Sequence, residues 1–571
     1  MATVYIQSFS KDIPDTLQVT LESLIVLHVL KVCDNNEVNL RIVLQHDNAA
    51  TEPLFQLATS SISHDIIKYH DVPCIAKYCS WPVAVAGKVV IAGLASVSRQ
   101  IIKSYNDKDI IALLGFREAC LMACNETSIW TKFCEIDMIA TVKGMLENVN
   151  NYIKSNTIRI PVDLTRFEAH MGQPVRIHNV YKLAREKNKD KLIKSNTPIE
   201  QLNLEHRYGE GPFMTLSDLL LFPCFKIVFS MFDETVLAAQ LPLSLLWYKN
   251  LCNDTKQPKI DFNFSIGFEK PLKDAVVHQE KVVKQSLYTS DPKRYKPQCR
   301  IYTRQIDVDK ALTIATDLSL VNIKNEKPFG YEIDFSWKDI PLEANPEGGA
   351  LPNARATRKC QQLQNLAKAA IKISANINHV IVDFCSGSGH LGILVAALLP
   401  NSHIILVENK ERSLQRALER VAKLNLTNVS LVQSNLDYFV ATFDVGMALH
   451  ACGVATDLVI QTCIKNKAHF ICCPCCYGGI HNCHHLTYPR SIMFKDTSLS
   501  YKDYLTIGHS ADQTHDENNT KTAQGYACMH LIDTDRKLQA EECGYEVHLG
   551  KLLPPSCTPK NNLLVGIWNC S

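Results

Sequence analysis

The residue types best suited to chemistry gather between Val382 and His485. The run opens as Val382-Asp383-Phe384-Cys385-Ser386-Gly387-Ser388-Gly389-His390-Leu391-Gly392. Glycines at 387, 389 and 392 let a backbone approach a ligand closely, and their spacing satisfies a dinucleotide-binding fingerprint, a weak signal by itself. Two acids are more telling. Asp383, beside the loop, would repel a pyrophosphate and suits a cationic sulfonium carrying an amino-acid end. Glu408 follows Gly389 by 19 residues (408 − 389) and can accept both hydroxyls of a ribose. Asn435, in Gln433-Ser434-Asn435-Leu436-Asp437, is expected to hold an adenine amine, with Asp437 in reserve; a plain turn is the competing reading.

A second run reads Ala448-Leu449-His450-Ala451-Cys452-Gly453-Val454-Ala455-Thr456-Asp457. His450 is expected to serve as a general base or to touch an acceptor. Thr456 and Asp457 read as caps of the next helix. Then come Cys472-Cys473-Pro474-Cys475-Cys476-Tyr477-Gly478 and His481, Cys483, His484 and His485. Three readings compete here. The preferred one is a packed pocket wall with Tyr477 facing the acceptor. A zinc site comes second, lacking a clean Cys-x-x-Cys pair followed by another pair. A cysteine nucleophile at Cys475, of the kind that adds to a pyrimidine, comes third. His450, Cys475 and Tyr477 are the catalytic candidates, Arg490 is a further acceptor contact, and no metal ligand is assigned.

These groups need a scaffold that gathers strand ends. From Leu363 onward strand and helix patterns alternate: strands over 379–384, 403–408, 429–433, 443–449 and 468–473, helices over 390–399, 411–425 and 525–541, and a closing strand pair over 545–549 and 563–568. That is a doubly wound parallel sheet with an antiparallel end, and the motifs fall where its strands finish. In element order and first-loop motif, residues 346–571 resemble the class I S-adenosylmethionine-dependent methyltransferases. The resemblance implies S-adenosyl-L-methionine as cofactor, lying across Asp383, Cys385, Gly387, Gly389, Glu408 and Asn435. Cys385 stands where the family often has glycine, which narrows the pocket. Residues 450–457 are also similar to a segment of eukaryotic transfer-RNA ribose methylases, which implies an RNA acceptor.

Upstream, residues 1–105 read as a small α/β unit, with strands over 3–8 and 40–46, a helix-like stretch over 15–32, a hairpin from Trp81 to Ile91 turning at Gly87, and a helix over 94–105. Residues 106–250 read as mostly helical. Thr215 and Asp218 form a capping box, with Met214 and Leu219 as a hydrophobic staple. This Thr-x-x-Asp box, and Pro82 at the place of a cis-proline, resemble the glutathione-transferase fold: a thioredoxin-like domain over 1–105 and a helical domain over 106–250. The likeness stops at the chemistry. Ala92-Gly93-Leu94 occupies the place of the acid–serine pair with which that family holds glutathione, and no activating Ser, Tyr or Cys is found near the first strand. The region therefore reads as a degenerate module for structure or a protein partner, without glutathione-transferase activity. Residues 251–345 read as a connecting region. Its basic stretch over 281–304, with Tyr288, Tyr295 and Tyr302 interleaved, could touch RNA or simply be solvated.

Composition agrees with a multidomain α/β protein. In 571 residues, 46% are hydrophobic and 21% charged, with a net charge of +2, so nothing global marks a nucleic-acid binder. The 22 cysteines, a start lacking a signal-peptide pattern, and no apolar run of membrane-spanning length lead to the expectation of a cytoplasmic chain with reduced thiols. A methyltransferase acting on RNA is the leading expectation. The alternative is a non-catalytic adaptor, favoured by the lost glutathione ligand and by Cys385. Oligomeric state stays open.

Overall fold

A computed structural model of the chain describes residues 1–9, 16–34, 37–45, 53–58, 62–155, 157–175, 180–253, 262–263, 276–279, 282, 284, 286–288, 304–317, 327–346, 353–375, 377–514 and 519–569. Most of the basic stretch over 281–304, Tyr295 and Tyr302 included, lies outside them. The chain forms two compact units, Met1–Pro292 and Lys293–Ser571. Among the described residues no helix is long and apolar enough to cross a membrane.

The first unit contains strands β1 (Ala2–Ser8), β2 (Thr16–Val19), β3 (Val38–Leu44), β4 (Phe55–Ala58), β5 (Asp65–Lys68), β6 (Val83–Ala86), β7 (Val89–Ala92), β8 (Thr157–Ile160), β9 (Phe262–Asn263) and β10 (Val276–Gln279). β1 runs parallel to β3 and antiparallel to β6, which turns back into β7, giving the order β3-β1-β6-β7. β5 extends this parallel to β3; β2 joins β1 to β4, and β4 pairs with β9, each antiparallel; β8 and β10 pair in parallel. The segment over 15–32 thus differs from its helical expectation. Thr16–Val19 is a strand, and the helix Leu21–Val32 starts only after Thr20, whose hydroxyl accepts the Ser23 N–H at 3.3 Å. Leu17 and Val19 fit either periodicity, and antiparallel pairing with β1 and β4 decides for the strand. The hairpin turns at Gly87 with φ 61°, a left-handed conformation, and the Trp81–Pro82 bond is cis.

The helix Leu216–Phe229 runs through the core of this unit behind its capping box. Asp218 is fully buried. It accepts the N–H of Thr215 at 2.9 Å, the N–H of Gly209 at 2.8 Å and the indole N–H of Trp247 at 2.8 Å. One carboxylate therefore ties the cap, a loop and a neighbouring helix together.

The second unit holds β11 (Val380–Phe384), β12 (His403–Glu408), β13 (Val429–Gln433), β14 (Val445–Cys452), β15 (His469–Cys475), β16 (Tyr545–Lys551) and β17 (Asn562–Trp568). Their order is β13-β12-β11-β14-β15-β17-β16. β17 runs antiparallel to both β15 and β16, and the other pairs are parallel. This is a Rossmann-like mixed sheet. Ile404, Ile405, Leu406 and Val407 are all buried, as expected of a strand covered on both faces. The strand order reverses between β11 and β14, so their carboxyl ends open a crevice where ligands bind in such sheets.

Candidate cofactor and acceptor site

β11 delivers its motif into that crevice. The chain leaves Phe384 through Cys385 at φ 54° and Gly387 at φ 57°, and enters the helix His390–Leu398 at Gly389. A Cβ on Gly392 would lie 2.2 Å from Leu406 Cδ2, so glycine is what lets this helix rest on β12. The same closeness lets the Gly392 N–H donate to Asp383 Oδ2 at 2.8 Å. Gly387 is the opposite case, since a Cβ there would meet nothing within 4 Å. The loop thus packs tightly on one side and stands open on the other.

Asp383 is buried, and burial raises its carboxyl to about 7; the Gly392 amide and the charge of Lys359 work against that rise. Glu408, at the end of β12, accepts the Gly387 N–H at 2.8 Å and the Lys410 N–H at 2.9 Å, holding the loop after β11 to the loop after β12. The buried hydroxyls of Ser386 and Ser434 have no hydrogen-bond partner among the described residues. A half-satisfied acid, a second acid at the next strand end, two unpartnered hydroxyls and open space over Gly387 suit a nucleoside with a cationic amino-acid end. Asn435 follows β13 and accepts from the Asn409 amide at 3.3 Å. Asp437 turns elsewhere. Its carboxylate is bonded to His485 and lies 3.5 Å from His484, so its reserve role toward adenine gives way to a histidine pair.

On the acceptor side, His450 sits at φ 64° at the end of β14. Its Nε2 meets Gln362 Oε1 at 2.9 Å, while the Gln362 amide nitrogen donates to the Cys557 carbonyl at 2.8 Å. The second bond orients the amide, so the imidazole proton is assigned to Nε2 and Nδ1 is left as the acceptor. Burial, with help from Lys359, lowers this imidazole to about 4. Cys475 lies 3.4 Å from Cys452, sulfur to sulfur, and Cys476 lies 3.3 Å from Cys452. The hydrogen bond from Cys475 pulls the Cys452 thiol down to about 6, and the same bond together with burial pushes Cys475 up. Cys475 is thus one member of a sulfur cluster and does not stand alone as the nucleophile reading requires.

Three expectations on this side are corrected. Tyr477 is 0% exposed, and its hydroxyl donates to Asp533 at 2.6 Å, so it belongs to a buried polar network and does not face an acceptor. Arg490 spends its backbone N–H on Asp535 at 2.7 Å, and its guanidinium on the Thr487 carbonyl at 3.2 Å and Gln461 at 2.7 Å. The capping role expected of residues 456–457 also fails. Thr456 donates back to the Ala451 carbonyl at 2.6 Å, and Asp457 accepts Arg536 at 2.7 and 2.9 Å and the Tyr488 hydroxyl at 2.8 Å. Arg536 is buried between Asp457 and Asp533, the latter at 2.9 Å.

Sequence reasoning passed over Lys359, Gln362, Cys452 and Arg536 as parts of this region. Lys359 and Gln362 stand three residues apart on one face of the helix Asn353–Ile373, directly ahead of β11, and that spacing was the available signal.

A family model described as a methyltransferase domain matches residues 358–483, from the Lys359 helix through the thiol cluster. The glutathione S-transferase C-terminal domain-containing protein homolog of Drosophila pseudoobscura pseudoobscura is 43% identical over 500 residues, covering 84% of this chain and 83% of its own length. The Homo sapiens glutathione S-transferase C-terminal domain-containing protein is 32% identical over 627 residues, 96% of this chain and 95% of its own. Among solved structures, the O-methyltransferase from the trans-AT PKS multienzyme of Brevibacillus brevis, in complex with S-adenosyl-L-homocysteine, matches with a TM-score of 0.20 and 16% identity over 27% of this chain and 54% of its own.

Proposed function

Since this chain belongs to the family of glutathione S-transferase C-terminal domain-containing proteins and carries a methyltransferase domain, we propose that it transfers a methyl group to RNA. The domain implies S-adenosyl-L-methionine as cofactor. The observation that carries the reading is the buried acid Asp383, held by one amide among the described residues, beside the open face of Gly387 at the switch point of the sheet.

When bound, the cofactor supplies the electrophilic methyl group. The chain's own residues bind and orient. Asp383 would take the cationic amino-acid end, Glu408 the ribose hydroxyls and Asn435 the adenine amine, with the Ser386 and Ser434 hydroxyls as further partners. Cys385, Gly387 and Gly389 form the loop under it. His450, fixed by Gln362, would meet the acceptor, and the main catalytic contribution is alignment of two reactants. An RNA acceptor is supported by the likeness of residues 450–457 to the transfer-RNA ribose methylases. The strand order β3-β1-β6-β7, the cis bond before Pro82 and the Asp218 box support a glutathione-transferase-like first half, thioredoxin-like over 1–105 and helical over 106–250. We read that half as a protein-binding module, 251–345 as a connection and 346–571 as the methyltransferase domain, in a cytoplasmic protein whose many thiols suit a reducing compartment.

Calorimetric titration of the full chain with S-adenosyl-L-methionine tests the pocket. Micromolar binding is expected, and Glu408→Ala should lose it; a folded chain that binds nothing sinks the reading. Transfer of labelled methyl to RNA fractions tests the acceptor, and label found in protein alone overturns RNA. A non-catalytic adaptor is the second reading, favoured by the engagement of Tyr477 and Cys475 in internal contacts. Cofactor binding without transfer to any RNA or protein fraction would select it.

A further inference from the structure

Three sulfurs converge where β14 and β15 end. Cys452 lies opposite Cys475 in the parallel register, at 3.4 Å, and 3.3 Å from Cys476; all three sulfurs fall within 4.8 Å of one another. Thiolates around one tetrahedral zinc, with Zn–S near 2.3 Å, stand about 3.8 Å apart, within the range these sulfurs span. The backbone is bent to produce the meeting. The β14–β15 register shifts between Leu449 and Cys452, and Cys476 adopts φ 51°, ψ 51°, a left-handed conformation that a side-chain-bearing residue seldom takes. Strain of this kind persists only where surrounding structure enforces it and clusters at ligand sites. A disulfide would join only two of the three sulfurs, at about 2.05 Å. Three together match a soft, thiophilic cation.

We propose that Cys452, Cys475 and Cys476 bind one zinc ion through three thiolates, with the fourth position open to solvent. Cys475 is buried while Cys452 and Cys476 are exposed, so the ion would have protein beneath it and water or an acceptor group above it. Each thiol gives up its proton to solvent as the ion binds, and no electron changes hands. The ion would fasten the segment following β15 to the end of β14, two residues beyond His450, and so fix one wall of the crevice. The site stands independently of the methyl-transfer reading.

The test is metal content of the full-length chain, purified without chelator and measured by elemental mass spectrometry, alongside cobalt substitution. About one zinc per chain is expected, and cobalt should give sulfur-to-metal charge-transfer absorption with tetrahedral ligand-field bands. Cys452→Ser and Cys476→Ser should each lose the metal, while Cys483→Ser and His485→Ala keep it. The second of these controls reports on the neighbouring group of Asp437, His484 and His485, whose ligand atoms also lie within 4.8 Å of one another. A folded wild-type chain that takes up neither zinc nor cobalt overturns the site. So does a metal that survives Cys452→Ser, one that leaves with His485→Ala, or a disulfide among the three cysteines with no metal. Should a serine variant fail to fold, the cobalt spectrum of the wild-type chain decides.

Discussion

Asp218 and Asp383 are both buried carboxyls, each raised by burial, and each sits beside a glycine-containing loop. Their partners separate them. Asp218 collects three N–H donors from a cap, a loop and a helix. Asp383 accepts one, from Gly392, among the described residues. A buried carboxyl surrounded by fixed donors is a brace, because each donor it serves would otherwise be stranded. A buried carboxyl with capacity left over, at a strand end beside the switch point, is the arrangement proposed above to receive a cofactor. Burial and a shifted pKa are common to both; what distinguishes structure from function is the unfilled valence.

The largest expected effect breaks the brace. Asp218→Ala strands two amides and the Trp247 indole N–H, at ~1–3 kcal/mol for each donor before relaxation, so a loss of about 3–4 kcal/mol is expected. Urea unfolding of the full chain measures it. Affinity for S-adenosyl-L-methionine should stay within about twofold, and an equal loss of stability and affinity would erase the distinction drawn above.

Next comes the receptor. Asp383→Asn should weaken S-adenosyl-L-methionine about tenfold or more, ~1.4 kcal/mol, with no fall in melting temperature, because the neutral amide removes the burial penalty on the ionised carboxyl. The pH dependence is signed. The folded carboxyl is raised from 3.8 to about 7, so its contribution to stability is present at low pH and is lost as pH rises through about 7. A cationic ligand prefers the ionised form, so wild-type affinity should rise across that same window and the variant's should stay flat. Calorimetry on either side of neutrality reads both, and a flat wild-type profile would refute the assignment.

The smallest effect is the sharpest comparison. Gly87 and Gly387 have φ of 61° and 57°, and at neither would an added Cβ meet anything within 4 Å. Alanine at either position should cost about 1 kcal/mol for the left-handed backbone. Only Gly387→Ala should also weaken the cofactor, because only there does the open space belong to a ligand. Equal binding by the two variants would show that the space over Gly387 is ordinary solvent.

Much of the second unit was readable in advance. The strands over 403–408 and 429–433 match their observed bounds, since short β-branched-rich segments between turn signals leave little latitude. The loop glycines and the two strand-end acids were visible as spacing. What stayed hidden depends on partners distant in sequence. Asp457 reads as a cap until Arg536 arrives from another helix, and Tyr477 reads as a pocket wall until Asp533 claims its hydroxyl. Cys452 seems unrelated to Cys475 until two strands are placed side by side. In the first unit, two alternating apolar residues at 17 and 19 could not by themselves choose between strand and helix.

The placement of β17 between β15 and β16 carries a consequence for synthesis. β15 leaves the ribosome well before the strand that covers its outer edge, and β16 is made in between with nothing of its own to pair with. During that interval the growing chain exposes the apolar edge holding Phe470 and Ile471, a template for unwanted strand pairing.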